Sequence, residues 1–517
     1  TVNNATTAHN LTFAGPILFT STSGRTLNFN NFGQVLTFGS SPNSSTFSLA
    51  TTGNINVAIN VSSSSTAAST LVLNDIIQDN PTPPATPDTI SFGTASSTTP
   101  GGTTIINGAS TYSGSTTFNG PGSTAQTPLT FEIGVSSVMN GTSIVSGPFG
   151  KGTMIPNNGN DPSTFVPFGA DRTIANAMTL TSGFFVATAP LTGSGPTVDP
   201  SGVAHNLIFT GAISDPGKVI TNNMASSVGL YLGSASGSSV VTMSGTTKFQ
   251  TTSGFSSNTY VYDQLTGSGA LTVQNHAIVQ LLNNSNNYSG VTTVTTTAAI
   301  PGGTLLAMNS SGSATGTGAV TVNGIGTGSS ALGTGGTLGG TGFITGAITI
   351  GSASGGTQGG VISPGASGPG TLNVGSVTFN PYGRYVFEYN QTNNSIGNAV
   401  NDLISGSGTL DLTALSASAP FDINLSPIVT GSPSGSYTLA TFGGGVIANG
   451  TPFANGTDVT NLFSFSGTSP SSPDLMINAA PGGGQSLVLS FAPTPEPTAI
   501  AVLGLGAMAA LLRRRRC

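Results

Sequence analysis

The chain has 517 residues, of which only 5% are charged, with 74 glycines, no tryptophan and a formal net charge of −6. Four of its ten basic residues are Arg513 to Arg516, so the body upstream sets six basic residues against fifteen acids, a net −9. It has no basic stripe to displace counterions from phosphates, which excludes a nucleic-acid partner. Cys517 is the one cysteine, which rules out an internal disulfide and leaves stability to packing and backbone pairing.

A composition rich in glycine, serine and threonine admits disorder. Against that, the apolar residues come in short alternating bursts such as "HNLTFAGPILF", "HNLIFTGAI" and "GAITIGS", bounded by turn residues, and these read as strands. Only three glutamates occur, Glu132, Glu388 and Glu496, and no amphipathic helix is legible before the terminal run.

From the start of the chain, "AHNLTFAGPI" at Ala8 to Ile17 returns as "AHNLIFTGAI" at Ala204 to Ile213. "STYSGSTTF" at Ser110 to Phe118 returns as "NNYSGVTTV" at Asn286 to Val294. Such repeats imply stacked units that cannot each close a core alone. The expected fold is all-β, a right-handed parallel β-helix or solenoid whose coils pair about 4.8 Å apart. Asn, Ser and Thr would then form ladders, and charge would be disfavoured because like charges repeat at that spacing. At roughly 20 to 25 residues per coil, the body would make about 20 coils and a rod on the order of 100 Å. "DNPTPPATPD" at Asp79 to Asp88 and the stretch from Pro148 to Gly169 read as loops leaving the stack.

The segment "LTGSGALTVQNHAIVQLLNNSNNYSGVTTV" at Leu265 to Val294 resembles the autotransporter-associated β-strand repeat, with its glycine-rich turn, apolar strand, Asn-x-Tyr-x-Gly and Thr-Thr. "GTLGGTGFITGAITI" at Gly336 to Ile350 and "GGVISPGASGPGTLNVGSVTF" at Gly359 to Phe379 resemble the regular coils of proteins that carry this repeat. The resemblance implies a secreted parallel β-helix and brings no active site. It divides the chain into an amino-terminal solenoid with irregular loops (1–264), the repeat region (265–380), a carboxy-terminal β region or cap containing "GSYTLATF" and "QSLVLSFAP" (381–491), and the tail (492–517).

The tail joins Pro495, Glu496 and Pro497 to the apolar run Thr498 to Leu512 and then to Arg513, Arg514, Arg515 and Arg516. As a helix the run is about 22 Å long, short for a hydrocarbon core of about 30 Å. The arginines hold its end on the cytoplasmic side, and the prolines keep Glu496 extended. This order resembles the PEP-CTERM sorting signal of exopolysaccharide-producing Gram-negative bacteria. It implies an exosortase as partner, transient passage through the inner membrane, and release or attachment at the cell surface or in the extracellular matrix. Cys517 is read as incidental.

Chemistry is expected to be absent: no catalytic, cofactor-binding or metal-binding residue is assigned. Glycoside cleavage needs two carboxylates flanking a sugar bond, and the nearest spacings are Asp75 with Asp79 and Asp402 with Asp411. Glu388 in "RYVFEYN" is weighed as a general acid, the favoured reading being an outward residue paired with Arg384. His9, His205 and His276 are read as structural rather than as a metal site. Tyr382, Tyr385, Phe387 and Tyr389 are expected to be exposed, either stacking on sugars or belonging to a cap. The sum is a non-enzymatic structural protein of the cell surface or biofilm matrix, with an adhesin for exopolysaccharide or other surface glycans as the second reading and a β-helical polysaccharide-degrading enzyme as the third.

Overall fold

The computed structural model describes residues 2–491 except 4–9, 22–24, 31–34, 52–55, 63–68, 80–87, 94–101, 121–128, 158–162, 189–202, 253–255, 298–300, 325–334, 352–358, 397–399, 432–434 and 468–472. The expected tail helix and all the sorting residues, Pro495 to Pro497 and Arg513 to Arg516, lie outside the described residues.

The described chain is all-β, with one short 3-10 turn at Thr460–Leu462. Its strands are short because a glycine, asparagine or proline bounds each burst of Val, Ile, Thr, Phe and Leu. Three long ladders run through it, and a coil visits them in a fixed order. Face one begins at Leu11–Phe13 and climbs by parallel steps through Val35–Phe38, Thr103–Ile106, Thr247–Gln250 and Val320–Val322 to Val446–Ala448. Face two is the three-stranded ladder from Ile17–Ser21 to Ile76–Asp79 and then the eleven-stranded ladder from Arg172–Ile174 to Phe463–Gly467. Face three holds ten strands from Val2–Asn3 to Gln264–Gly267, and the same place in the coil is taken up again from Phe343–Ile344 onward. These long parallel sheets, closed over a common interior, are the arrangement of a β-solenoid.

The coils are longer and fewer than the composition suggests. Partners on face one lie from 21 residues apart (Val273 to Val294) to 36 apart (Leu410 to Val446). Face one counts sixteen parallel strands, so the stack rises about 70 Å. The described parts of Pro148 to Gly169 include ladder strands rather than a loop throughout: Met154–Pro156 and Thr164–Pro167 pair in the stack with Met154 and Phe165 fully buried, while 158–162 lie outside the described residues. Pro156 and Pro167 each end one of these strands. Of Asp79 to Asp88, Asp79 ends a strand and Asp88 is buried, while 80–87 lie outside the described residues. Among the described residues an excursion is made by an antiparallel hairpin, Val138–Asn140 with Ser143–Ser146, turning at Gly141.

One continuous core fills the coils, from Leu36 to Leu489. The carboxy-terminal end changes direction. Ser436–Phe442 pairs antiparallel with Gln485–Phe491, which pairs with Pro473–Ala479. Face one is closed by the antiparallel Thr451–Pro452. Antiparallel pairing here occupies edges that the stack would otherwise leave open.

Two repeats noted in the sequence have a local structural meaning. In both Tyr-Ser-Gly copies the tyrosine is fully buried and its hydroxyl meets the threonine four residues on: Tyr112 to Thr116 at 2.5 Å and Tyr288 to Thr292 at 2.6 Å. Burial drives both phenols far above their ordinary value, so they stay neutral. The glycine two residues after the tyrosine passes so close to the preceding coil that a Cβ would overlap a carbonyl oxygen, that of Asp88 at Gly114 and that of Gly269 at Gly290. Yet one copy leads into face three and the other into face one. Likewise Leu11–Phe13 lies on face one and Leu207–Phe209 on face two.

Candidate functional site

Several residues that sequence reasoning weighed for chemistry make contacts between coils. Arg384 does not pair with Glu388; its Nε donates to Asp422 Oδ2 at 2.7 Å on the next coil, an aspartate that also takes the hydroxyls of Ser464 and Ser466. Register decides this, because Arg384 and Asp422 are direct ladder partners about 4.8 Å apart. Glu388 stands roughly 13 Å along its own strand. Its backbone N–H donates to Asp402 Oδ2 at 2.9 Å, and the Gly370 N–H donates to Asp402 Oδ1 at 2.9 Å. Burial outweighs those two donors and pushes the Asp402 carboxyl up to about 8. Glu388 is also raised by burial. Asp402 thus works as a clamp between coils, closed off from solvent.

Tyr385, Phe387 and Tyr389, expected at the surface, are fully buried; of that set only Tyr382 is partly exposed. Arg384–Asn390 alternates strictly, and its odd-numbered members face the interior. Tyr385 donates to the Leu439 carbonyl at 3.0 Å, and Tyr389 accepts from Gln391 at 3.2 Å. They are core of the carboxy-terminal cap.

Asp79 accepts the backbone N–H and hydroxyl of Ser113 at 2.9 and 2.7 Å. Asp75 is a buried corner residue whose carboxyl is raised by burial. His276 holds a left-handed backbone, φ 58°, and His205 lies 3.8 Å from Asp171. His9 lies outside the described residues. Among the described residues, no three His, Cys, Asp or Glu side chains are grouped as a metal ion would require.

The outer surface of face two carries a feature that the sequence reading missed. Its outward file runs Thr173, Ile208, Tyr231, Tyr260, Gln280. Tyr231 and Tyr260 stack with centroids 4.6 Å apart and planes at 18°, and Tyr262 lies parallel to Tyr231 at 6.5 Å and 7°. All three are partly exposed. Glycine at 229 leaves room for them, since a Cβ there would come within 2.6 Å of the Tyr260 ring. Beside them is a polar network. Asp171, its side chain 54% exposed, accepts the backbone N–H of Asn206 at 2.8 Å and its side-chain amide at 2.9 Å, and Asn206 Oδ1 accepts the Gly229 N–H at 2.8 Å. Partial burial, the neighbouring tyrosines and the Asp171 charge raise the Tyr231 phenol. Tyr-x-Tyr at 260 and 262 was a visible signal for two outward aromatics; that Tyr231 joins them depends on a register 29 residues away.

A recess of about 300 Å³ crosses three coils of face three, between Phe343, Asn373, Val374, Ser405 and Ser407. It is lined by neutral groups. No protein-family model and no curated protein matches this chain.

Proposed function

We propose that the chain is a secreted, non-enzymatic structural protein of the bacterial cell surface or extracellular matrix, delivered by its tail. In this reading the body is a right-handed parallel β-helix, the hand that strand twist favours for parallel crossovers. An exosortase recognises Pro495, Glu496 and Pro497, with Thr498 to Leu512 crossing the inner membrane transiently and Arg513 to Arg516 held on the cytoplasmic side. The observation that carries it is the joining of a long, nearly uncharged ladder to that three-part tail. A stack of this kind supplies length and a repeating surface. The likeness of Leu265 to Phe379 to the autotransporter-associated β-strand repeat supports the same reading.

Processing is tested by mass spectrometry of the protein recovered from the surface. Mature molecules are expected to lack Arg513 to Cys517, and an intact carboxy terminus on all of them would remove the sorting role. Turnover of any polysaccharide by the purified chain would favour the enzyme reading instead.

A further inference from the structure

We propose that the tyrosine cluster on face two, Tyr231, Tyr260 and Tyr262 with Asp171, is a binding platform for a neutral, hydroxyl-rich polysaccharide. The proposal rests on the surface location argued above, since that is where such a polymer would be met.

Three partly exposed rings stand nearly parallel on adjacent coils, in a file that elsewhere carries Thr173 and Gln280. Stacking of the rings on each other adds to coil cohesion, a role that needs no exposure of the phenol groups. The ring surface that this stacking leaves uncovered and the phenol hydroxyls instead offer what a sugar ring uses: an apolar surface for C–H groups and polar groups for its hydroxyls. Asp171 supplies a half-exposed acceptor at the flank, held in place by Asn206. Sugar hydroxyls are donors that complement it.

Charge selects among polymers. The nearest guanidinium, Arg172, directs Nε and Nη2 to the Phe168 carbonyl. With Asp171 beside the rings and a body of net −9, a polyanion would be repelled at short range. A neutral glycan meets no such penalty, and His205, 3.8 Å from Asp171, is largely buried rather than presented to a ligand.

The test is affinity electrophoresis of the full chain through native gels containing hydroxyethylcellulose, dextran or alginate. At least one neutral polymer should retard the protein and alginate should not. The double substitution Tyr231→Ala with Tyr260→Ala should weaken retardation at least tenfold, Asp171→Asn several-fold, and Tyr382→Ala not at all. If circular dichroism shows the double variant unfolded, Tyr262→Ala and Asp171→Asn carry the decision; unchanged retardation in both overturns the proposal. So does passage of the native protein unretarded through both neutral gels, or a preference for alginate. The chain has no tryptophan, so tyrosine emission gives a second readout. Because this assay ignores the tail and the mass measurement ignores sugars, either proposal can fail without the other.

Discussion

Residues 88–209 and 265–350 build similar coils around different interiors. The first is filled by phenylalanine: Phe92, Phe118, Phe131, Phe149, Phe165, Phe184 and Phe209 form a run of ring contacts at 5.0 to 6.3 Å. The second is aliphatic, with Leu271, Val273, Val294, Val320, Val322, Ile348 and Ile350 at its centre. Coil length does not follow. Face-one partners lie 27, 34 and 21 residues apart through the phenylalanine stretch, against 21, 28 and 28 through the aliphatic one. The aliphatic region carries a glycine file at one corner: Gly245, Gly269, Gly290, Gly318 and Gly346, each two residues before a face-one strand, with the last four each set against the carbonyl of the glycine one coil below. The phenylalanine region has a shorter version, Gly152 against the carbonyl of Gly114, so side-chain bulk differs between the regions while close backbone approach is common to both.

The largest expected effect is in the aromatic interior. Phe118→Ala should cost about 4 kcal/mol through its cavity, and Val294→Ala no more than about 2 kcal/mol, read as shifts in urea midpoint. Equal losses would mean that the two interiors pack alike. At the aliphatic region's glycine corner the backbone should be the sensitive part: Gly290→Ala is expected to cost about 1–3 kcal/mol by overpacking, whereas Gly15→Ala, with open space around it, should be close to neutral. A silent Gly290→Ala would dissolve the corner argument.

Between the regions sits Asp263, buried and pushed up to about 6 by that burial against the opposing Ser239 hydroxyl bond. Its folded value lies above its ordinary 3.8, so its stabilising effect is whole below about pH 4 and is lost as pH rises through 6. Melting curves at pH 4.5 and 7 should therefore show Asp263→Asn gaining on the native chain at the higher pH, by about 1–2 kcal/mol. A constant gap between the two proteins would contradict the burial.

The smallest difference compares the two buried tyrosines. Thr116 keeps the Phe149 carbonyl as a partner at 3.2 Å after Tyr112→Phe, which should cost about 0.5–1 kcal/mol. Tyr288→Phe removes the hydroxyl contact of Thr292 in a dry site and should cost about 1–2 kcal/mol. Thermal melts of the pair rank them, and the reverse order would show that the corners differ in some other way.

Much of this architecture was legible before any coordinates. Alternation in "RYVFEYN" and "GAITIGS" marked strands, and the scarcity of charge pointed to stacked parallel coils. The candidate platform was not legible, because Tyr231 and Tyr260 meet through a register that no local pattern carries. Reading Tyr385, Phe387 and Tyr389 as exposed went wrong for a related reason: alternation separates two faces of a strand and does not say which one is inside.

The sequence alone settled the local grammar: short strands of branched and aromatic residues, bounded by turn residues, and a Tyr-Ser-Gly turn followed by a Thr-Thr pair. Those features depend only on neighbours within a few positions. Tertiary structure decided the rest, including which face receives each repeat, how many residues close a coil, and why Arg384 chooses Asp422 over Glu388. Ladder partners on face one lie 21 to 36 residues apart, and every face presents the same pleat. Only the closure of each coil onto the one below selects among alternatives that are locally equivalent.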